Sequence, residues 1–403
     1  MNQKPYRLYP YRWVVLAVFM LTNLTIQLLW ISYAPITGLA ASFYGVTDLQ
    51  IGMFSMVFMI AFLPLSIPVS WMLDTWGLRI GVSIGAILMG FCAIGRGLAG
   101  SDYTTALVFT IGLAAAQPFL LNAWTKLPAQ WFGEQERATA VGLITLANLI
   151  GTGLGMVLTP ALMETYSIDR IQLIYGVVTA VSAVLFLIFA REKPATPPCS
   201  EEQAVRALML DGLKSALKIK PFWMYLFISF VGLGIFNGLN TWVEAIIRPR
   251  GFSAVDAGNL GAAMLIGGLI GAILLPAISD KRNKRIPFLL IGFVFAIPGM
   301  IGITFAQELW LLLVSAFSLG FFLISANPIG MQYAAEITFP TPEGTSAGLI
   351  QLFGQASFVF VYIMEALKQS DGSFTPGLLL MVVMIVLSAV MILFMKEPGE
   401  LNR

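Results

Sequence analysis

The chain has 403 residues, of which 58% are apolar and only 11% charged. A soluble protein carries about 25% charged residues, so a water-facing surface is excluded and an integral membrane protein is implied. Histidine is absent and the net charge is +2, which excludes His-ligated metal or haem, imidazole acid–base chemistry and a basic nucleic-acid surface. Cys92 and Cys199 lie in different surroundings and form no disulfide framework.

A membrane-spanning helix needs about 20 mainly apolar residues. Twelve stretches qualify: α1 over 13–38, α2 over 50–73, α3 over 79–99, α4 over 104–125, α5 over 138–163 and α6 over 171–191. Then come α7 over 222–247, α8 over 257–279, α9 over 286–306, α10 over 309–333, α11 over 345–368 and α12 over 375–396. No run of alternating short strands suggests a β-barrel. With the N-terminus inside, 18 of the 23 Lys and Arg residues fall in inner segments, which puts both termini in the cytoplasm. Arg191 to Pro221 is the longest polar break. It divides the chain into a bundle over 1–191, a linker over 192–221 and a bundle over 222–403. Ser200 with Gln203 reads as a capping box opening a short amphipathic surface helix in that linker.

The two halves repeat. Asp74 follows α2 and Asp280 follows α8; Gly142-Leu143-Ile144 opens α5 and Gly348-Leu349-Ile350 opens α11, both pairs 206 residues apart. Glu136 and Glu343 precede those triplets at nearly equal distance. Landmarks in one register indicate duplication. The expected fold is therefore all-α, with twelve transmembrane helices in two parallel six-helix repeats, the major facilitator architecture.

The loop after α2 holds Asp74, Gly77 and Arg79, and the loop after α8 holds Asp280, Lys281, Arg282, Lys284 and Arg285. This resembles the loop motif of the superfamily, with Ser70 and Thr75 departing from it. Asp74, Arg79, Asp280 and Arg285 are expected to form a cytoplasmic gate, an Asp at a helix end pairing with Arg or a neighbouring helix N-terminus. The alternative role for the basic residues is positive-inside anchoring. The span centres carry almost no charge. Glu244, Glu365 and Arg96 lie near outer helix ends, where snorkelling or an outer gate pair competes with a proton site at Glu244. A uniporter follows if no proton site exists.

Amides and aromatics occupy the middle instead: Asn23, Gln27 and Trp30 on one face of α1, Gln117 and Trp124 in α4, and Asn148 in α5. The second half adds Asn237 and Asn240 in α7, and Gln351, Gln355, Phe358 and Tyr362 in α11. In hydrocarbon such amides should face the bundle interior, to bond one another or a solute. A Trp face attracts quaternary ammonium groups. Gly142, Gly151 and Gly155 in α5 begin like the antiporter signature, but Met156 replaces the expected Pro, and close helix packing is the plainer reading.

Several blocks together resemble the family of feline leukaemia virus subgroup C receptor-related transporters. They are Trp30 to Tyr33, Phe43 to Val46, Ser55-Met56, Pro64-Leu65, Trp71 to Leu73, Gly77 to Arg79 and Trp131 to Gly133. The most specific runs from Glu336 to Pro340, then Glu343 to Ser346, Gly348-Leu349 and Gln355. The resemblance implies a twelve-helix facilitator of choline, ethanolamine or haem, or of pyridoxine-like solutes in a distant branch. It also implies that Trp30 stacks on a cation and that Gln355 lines the pocket. The family's α7 Tyr aligns with Asn237, and its α5 Gln with Leu149, so half of an aromatic cage is missing; Trp242 or Phe236 are candidates to compensate. Without histidine, haem lacks its usual axial ligand.

The expected function is alternating-access transport of a small polar or cationic organic solute by a cell-membrane monomer that needs no cofactor. Trp30, Gln27, Asn23, Gln117, Asn237, Asn240, Gln351 and Gln355 are the candidate binding residues. Proton-coupled efflux of drugs or metabolites is the alternative, and a non-transporting receptor a remote one. No nucleotide loop, nucleophile–base pair or metal cluster points to an enzyme.

Overall fold

Peptide groups within hydrocarbon must bond inside their own segment, so apolar stretches of this length become helices. The computed structural model describes residues 8–194, 196, 217–338 and 343–398. Among these residues there is no strand, and twelve helices are long and apolar enough to cross a membrane. They are α1 Arg12–Tyr44, α2 Asp48–Thr75, α3 Leu78–Leu98, α4 Tyr103–Trp131, α5 Thr139–Leu162, α6 Ile168–Phe189, α7 Lys220–Arg250, α8 Ala254–Arg282, α9 Ile286–Phe305, α10 Leu309–Thr338, α11 Ser346–Ala366 and α12 Thr375–Leu393. The expected linker helix and its capping box lie outside the described residues.

Two spans are broken. In α1 the regular helix ends at Ile31, a 3-10 turn covers Ala34–Ile36, and helix resumes over Thr37–Tyr44. Pro35 explains this, because it has no N–H and its ring crowds the preceding turn. The span therefore runs six residues beyond the 38 expected from hydropathy. In α11 a turn separates Glu343–Gln355 from Phe358–Ala366. Here Ser357 is fully buried and its hydroxyl accepts from the Asn237 amide at 3.1 Å.

The duplication is visible in local structure. Thr47 opens α2 with a capping box closed by Gln50, and Ser253 opens α8 with one closed by Asp256. Both members of the pair are 206 residues apart, the offset of the sequence landmarks. Each box satisfies backbone donors that a helix start leaves open.

The chain forms two compact units, Met1–Tyr33 with Leu39–Arg206, and Ala34–Gly38 with Ala207–Arg403. Within the first, α1 packs on α5 through glycine. A methyl on Gly151 would come within 2.2 Å of the Leu24 carbonyl oxygen, and one on Gly155 within 3.0 Å of that of Leu28. Gly97 and Gly176 do the same between α3 and α6, against Leu173 and Ala93. In the second unit Gly267 and Gly271 of α8 meet the carbonyls of Phe317 and Phe321, while Gly320 of α10 meets that of Met264. Small residues let backbones approach where the lipid is as apolar as leucine and gives no drive for burial. The packing reading of Gly151 and Gly155 agrees with this geometry. Gly142 has nothing within 4 Å of an added methyl, and neither has its repeat partner Gly348.

This contrast makes a prediction. Gly320→Ala should destabilise the protein by about 1–3 kcal/mol through overpacking, seen as a lowered Tm in detergent. Gly142→Ala and Gly348→Ala should be neutral or stabilising by up to about 1 kcal/mol.

Candidate functional site

The middle of the first unit presents amides that the protein does not fully satisfy. Asn23 is wholly buried in α1; its Nδ2 donates to the Phe19 carbonyl at 2.9 Å, leaving Oδ1 without a hydrogen-bond partner. Gln117 of α4 is buried with Oε1 unpaired, and Asn148 of α5 is buried with both amide atoms unpaired. Asn148 stands one turn before Gly151 on the face that packs against α1. Gln27 is half-buried, as is Trp124, whose indole N–H is unpaired.

Trp30 is buried and held twice by one residue of α2. Its Nε1 donates to the Ser55 carbonyl at 3.3 Å, and the Ser55 hydroxyl donates to the Trp30 carbonyl at 3.3 Å. The indole orientation is thus set by bonds as well as by packing. Beside it an aromatic cluster forms, with Tyr33 stacked on Phe54 at 4.4 Å and its hydroxyl 2.8 Å from that of Tyr44.

In the second unit the expected site residues are more fully engaged. Asn237 spends its amide on Ser357. Asn240 is wholly buried, donates to the Phe236 carbonyl at 2.7 Å, and keeps Oδ1 unpaired. It lines a small cavity with Leu239, Val243, Leu260, Met264 and Ile303. Gln351 and Gln355 are half-buried, and Tyr362 is exposed. Trp242 is fully buried, its N–H tied to the Val361 carbonyl at 2.8 Å and its ring tilted against Phe374. It packs in the core of the second unit. Phe236 is half-buried.

The charged candidates resolve into pairs. Glu244 is buried and accepts from the Gly38 backbone N–H at 3.1 Å and from Arg248 at 3.3 Å. A methyl on Gly38 would lie 1.9 Å from the Arg248 guanidinium, the far end of a flexible side chain that would have to shift. Glu365 pairs with Lys368 at 3.4 Å. Arg96 neither snorkels nor pairs with a carboxylate; it is buried in the first unit, on Gln172, Ser32 and the Leu29 carbonyl.

The two loop motifs build matching ends. Asp74 pairs with Lys126 at 2.7 Å, not with Arg79. Arg79 contributes its backbone: Glu192 accepts from the N–H groups of Leu78 at 2.8 Å and Arg79 at 2.6 Å, closing the start of α3. Gly77 allows this, with φ of +94° and no side chain to strike the Glu192 carboxylate 2.6 Å away. In the second unit Asp280 does pair with Arg285, which also binds Glu336 at 2.9 Å. Burial would lower the Arg285 pKa, but bonds to Glu336 and Asp280 outweigh it and the pKa is raised. Glu397 accepts from the N–H groups of Arg285 and Ile286, both at 3.1 Å. Glu192 and Glu397 thus play one part in each repeat, a carboxylate on the positive end of a helix. Sequence reasoning missed both, although each is an acid a few residues beyond the last span of its half. Ser55 and Glu336 sit inside the quoted family blocks without an assigned role, and Gln172 carried no signal beyond an amide in a span.

The Major Facilitator Superfamily model matches residues 15–362, with a second match over 246–402. The chain belongs to that superfamily. This facilitator is a multi-pass membrane transporter. It is 28% identical to the choline/ethanolamine transporter FLVCR2 of Rattus norvegicus, over 97% of this chain and 76% of that protein. It is 28% identical to FLVCR1 of Felis catus, over 96% and 73%, and 31% identical to solute carrier family 49 member A3 of Danio rerio, over 91% and 81%. These are the relatives the sequence blocks point to. Among solved structures it resembles a bacterial homologue of the human lysosomal transporter Spinster, with TM-score 0.73 and 15% identity over 96% of this chain and 97% of that one. The human organic anion transporter MFSD10 gives 0.66 and 12% over 95% and 100%. Such low identities speak for the fold alone.

Gly77→Ala should strain the positive φ and displace Glu192, lowering transport activity in proteoliposomes severalfold. Glu192→Gln keeps one acceptor, sets an NH2 donor against the other backbone N–H and removes the charge; it should cost about 1–3 kcal/mol of stability, read as a fall in Tm.

Proposed function

We propose that this transporter carries a small organic ammonium of the choline or ethanolamine kind by alternating access, driven by the gradient of the solute itself. The observation that carries the reading is Trp30, an indole buried in α1 and locked by Ser55 on both its ring N–H and its backbone carbonyl. A fixed indole offers an ammonium a cation–π contact worth about 0.5–2 kcal/mol. Unpaired amide oxygens on Asn23, Gln117 and Asn148 supply acceptors for a hydroxyl or an N–H. Gln27 and Gln355, with Gln351, Asn237 and Asn240, belong to the same assignment. The relatives named for choline and ethanolamine support it.

A proton-coupled mechanism needs a carboxyl free to titrate within the cycle. Glu244 instead holds Gly38 and Arg248, and it reads as an outer gate rather than a proton carrier. Asp74, Arg79, Asp280 and Arg285 form the inner gate, with both termini cytoplasmic by the distribution of Lys and Arg. Bundles over 1–191 and 222–403, joined by the linker, work as one monomer in the cell membrane, as a transporter and not an enzyme.

Purified protein should gain thermal stability with choline or ethanolamine by mass action, and Trp30→Ala should abolish that gain. Unchanged binding in Trp30→Ala would remove Trp30 from the site. Uptake should be indifferent to an imposed proton gradient, and Glu244→Gln should slow it without changing that indifference. Proton-driven uptake abolished by Glu244→Gln would replace this reading with proton coupling.

A further inference from the structure

Arg96 is a charged side chain placed where charge is costly. It is 1% exposed, in the last turn of α3. Its guanidinium donates to the Gln172 side-chain oxygen at 2.6 Å, to the Leu29 carbonyl at 3.2 Å and to the Ser32 hydroxyl at 3.4 Å, and it lies 5.3 Å over the Tyr33 ring. All of these acceptors are neutral. A buried cation without a carboxylate carries a desolvation cost that a glutamine or methionine filling the same space would not.

Three of the four contacts fall on the end of the first segment of α1. The last carbonyls of a helix have no donor within it, and Pro35 has no N–H for the Ile31 carbonyl four residues back. The Leu29 carbonyl is one of these orphans. There the guanidinium donates beside the Ser32 hydroxyl, which bonds the same carbonyl at 3.1 Å, and it meets the negative end of the helix dipole. Gln172 holds Arg96 in place and reaches Ser32 itself, its Nε2 donating at 3.3 Å. The mount is rigid, because Gly97 beside Arg96 leaves no room for a methyl against the Leu173 backbone beside Gln172, at 2.4 Å. Leu29 directly precedes Trp30. The indole is therefore held from α2 by Ser55, and the backbone next to it is tied to α3 and α6 through Arg96 and Gln172.

We propose that Arg96, mounted on Gln172, is a positioning residue for Trp30: it caps the broken end of α1 and so sets the height and plane of the indole presented to the solute. The proposal rests on the reading of Trp30 as the ammonium-binding face. Lysine cannot replace arginine here, because one ammonium on a flexible stem does not reach acceptors on two helices as a planar fork does.

The test uses the full-length protein in detergent and in proteoliposomes, with Arg96→Gln, Arg96→Lys, Gln172→Leu and the Arg96→Gln/Gln172→Leu double variant. Three quantities are read: choline and ethanolamine affinity by calorimetry, KM against Vmax for uptake, and acrylamide quenching of Trp30 fluorescence, isolated by subtracting the same variant carrying Trp30→Phe. Arg96→Gln should weaken amine binding about tenfold, the worth of one charge-assisted hydrogen bond, raise KM more than it lowers Vmax, and alter Trp30 quenching. Arg96→Lys should restore only part of the affinity. The double variant should be no worse than Arg96→Gln alone, since the two residues act as one unit. Wild-type affinity and quenching in Arg96→Gln, even with a lowered Tm, would reduce Arg96 to a structural residue and overturn the proposal. Should Arg96→Gln fail to fold, Gln172→Leu leaves Arg96 in place, removes its 2.6 Å bond together with the Gln172–Ser32 contact, and is judged by the same readouts. Should the wild type bind neither amine, the reading of Trp30 falls, and the quenching comparison still decides whether Arg96 positions it.

Discussion

Hydrocarbon provides no water to bond a peptide group, so each N–H and C=O must find its partner inside the protein. Continuous helix meets this demand everywhere except at helix ends and breaks, and those are the places where this chain spends its polar side chains. The open starts of α3 and α9 are closed by Glu192 and Glu397. The break in α1 is served by Arg96 and Ser32 at the Leu29 carbonyl, and by the Thr37 hydroxyl at that of Ala34. The turn in α11 buries Ser357 on Asn237. Polar residues that hydropathy treats as interruptions are the means by which irregular backbone survives at membrane depth.

Burial from water cannot hold the helices of such a protein together, and dispersion between close backbones takes its place. Glycines at the α1–α5, α3–α6 and α8–α10 seams bring carbonyls of one helix against the bare Cα of another. At the α3–α6 seam these close approaches lie next to the Arg96–Gln172 pair.

Charge and neutrality are distributed with a consistent logic. Ion pairs lie at helix ends, as in Asp74 with Lys126, Asp280 with Arg285, and Glu244 with Arg248. The amides lie between them. The amides carry no charge, so placing them in the middle of the spans avoids desolvating an ion there. In the second unit the Asn237 amide is spent on Ser357 and the Trp242 N–H on the Val361 carbonyl.

Much of this was legible in the residues. Twelve spans follow from stretches of about 20 apolar residues, because the thickness of the bilayer sets the length of the element. The duplication was legible from Asp74 with Asp280 and from the Gly-Leu-Ile triplets, since both halves fold under the same constraint. Trp30 and the α1 amides were legible as unusual groups in an apolar span. Only the tertiary structure decided their partners. That Asp74 takes Lys126 and not Arg79, that Arg96 is buried on Gln172, and that Trp242 belongs to the core depend on which helix faces which. A hydrogen bond joins atoms about 3 Å apart, and residues such as Arg96 and Leu29, 67 positions apart in the chain, meet at that distance only after the bundle has packed.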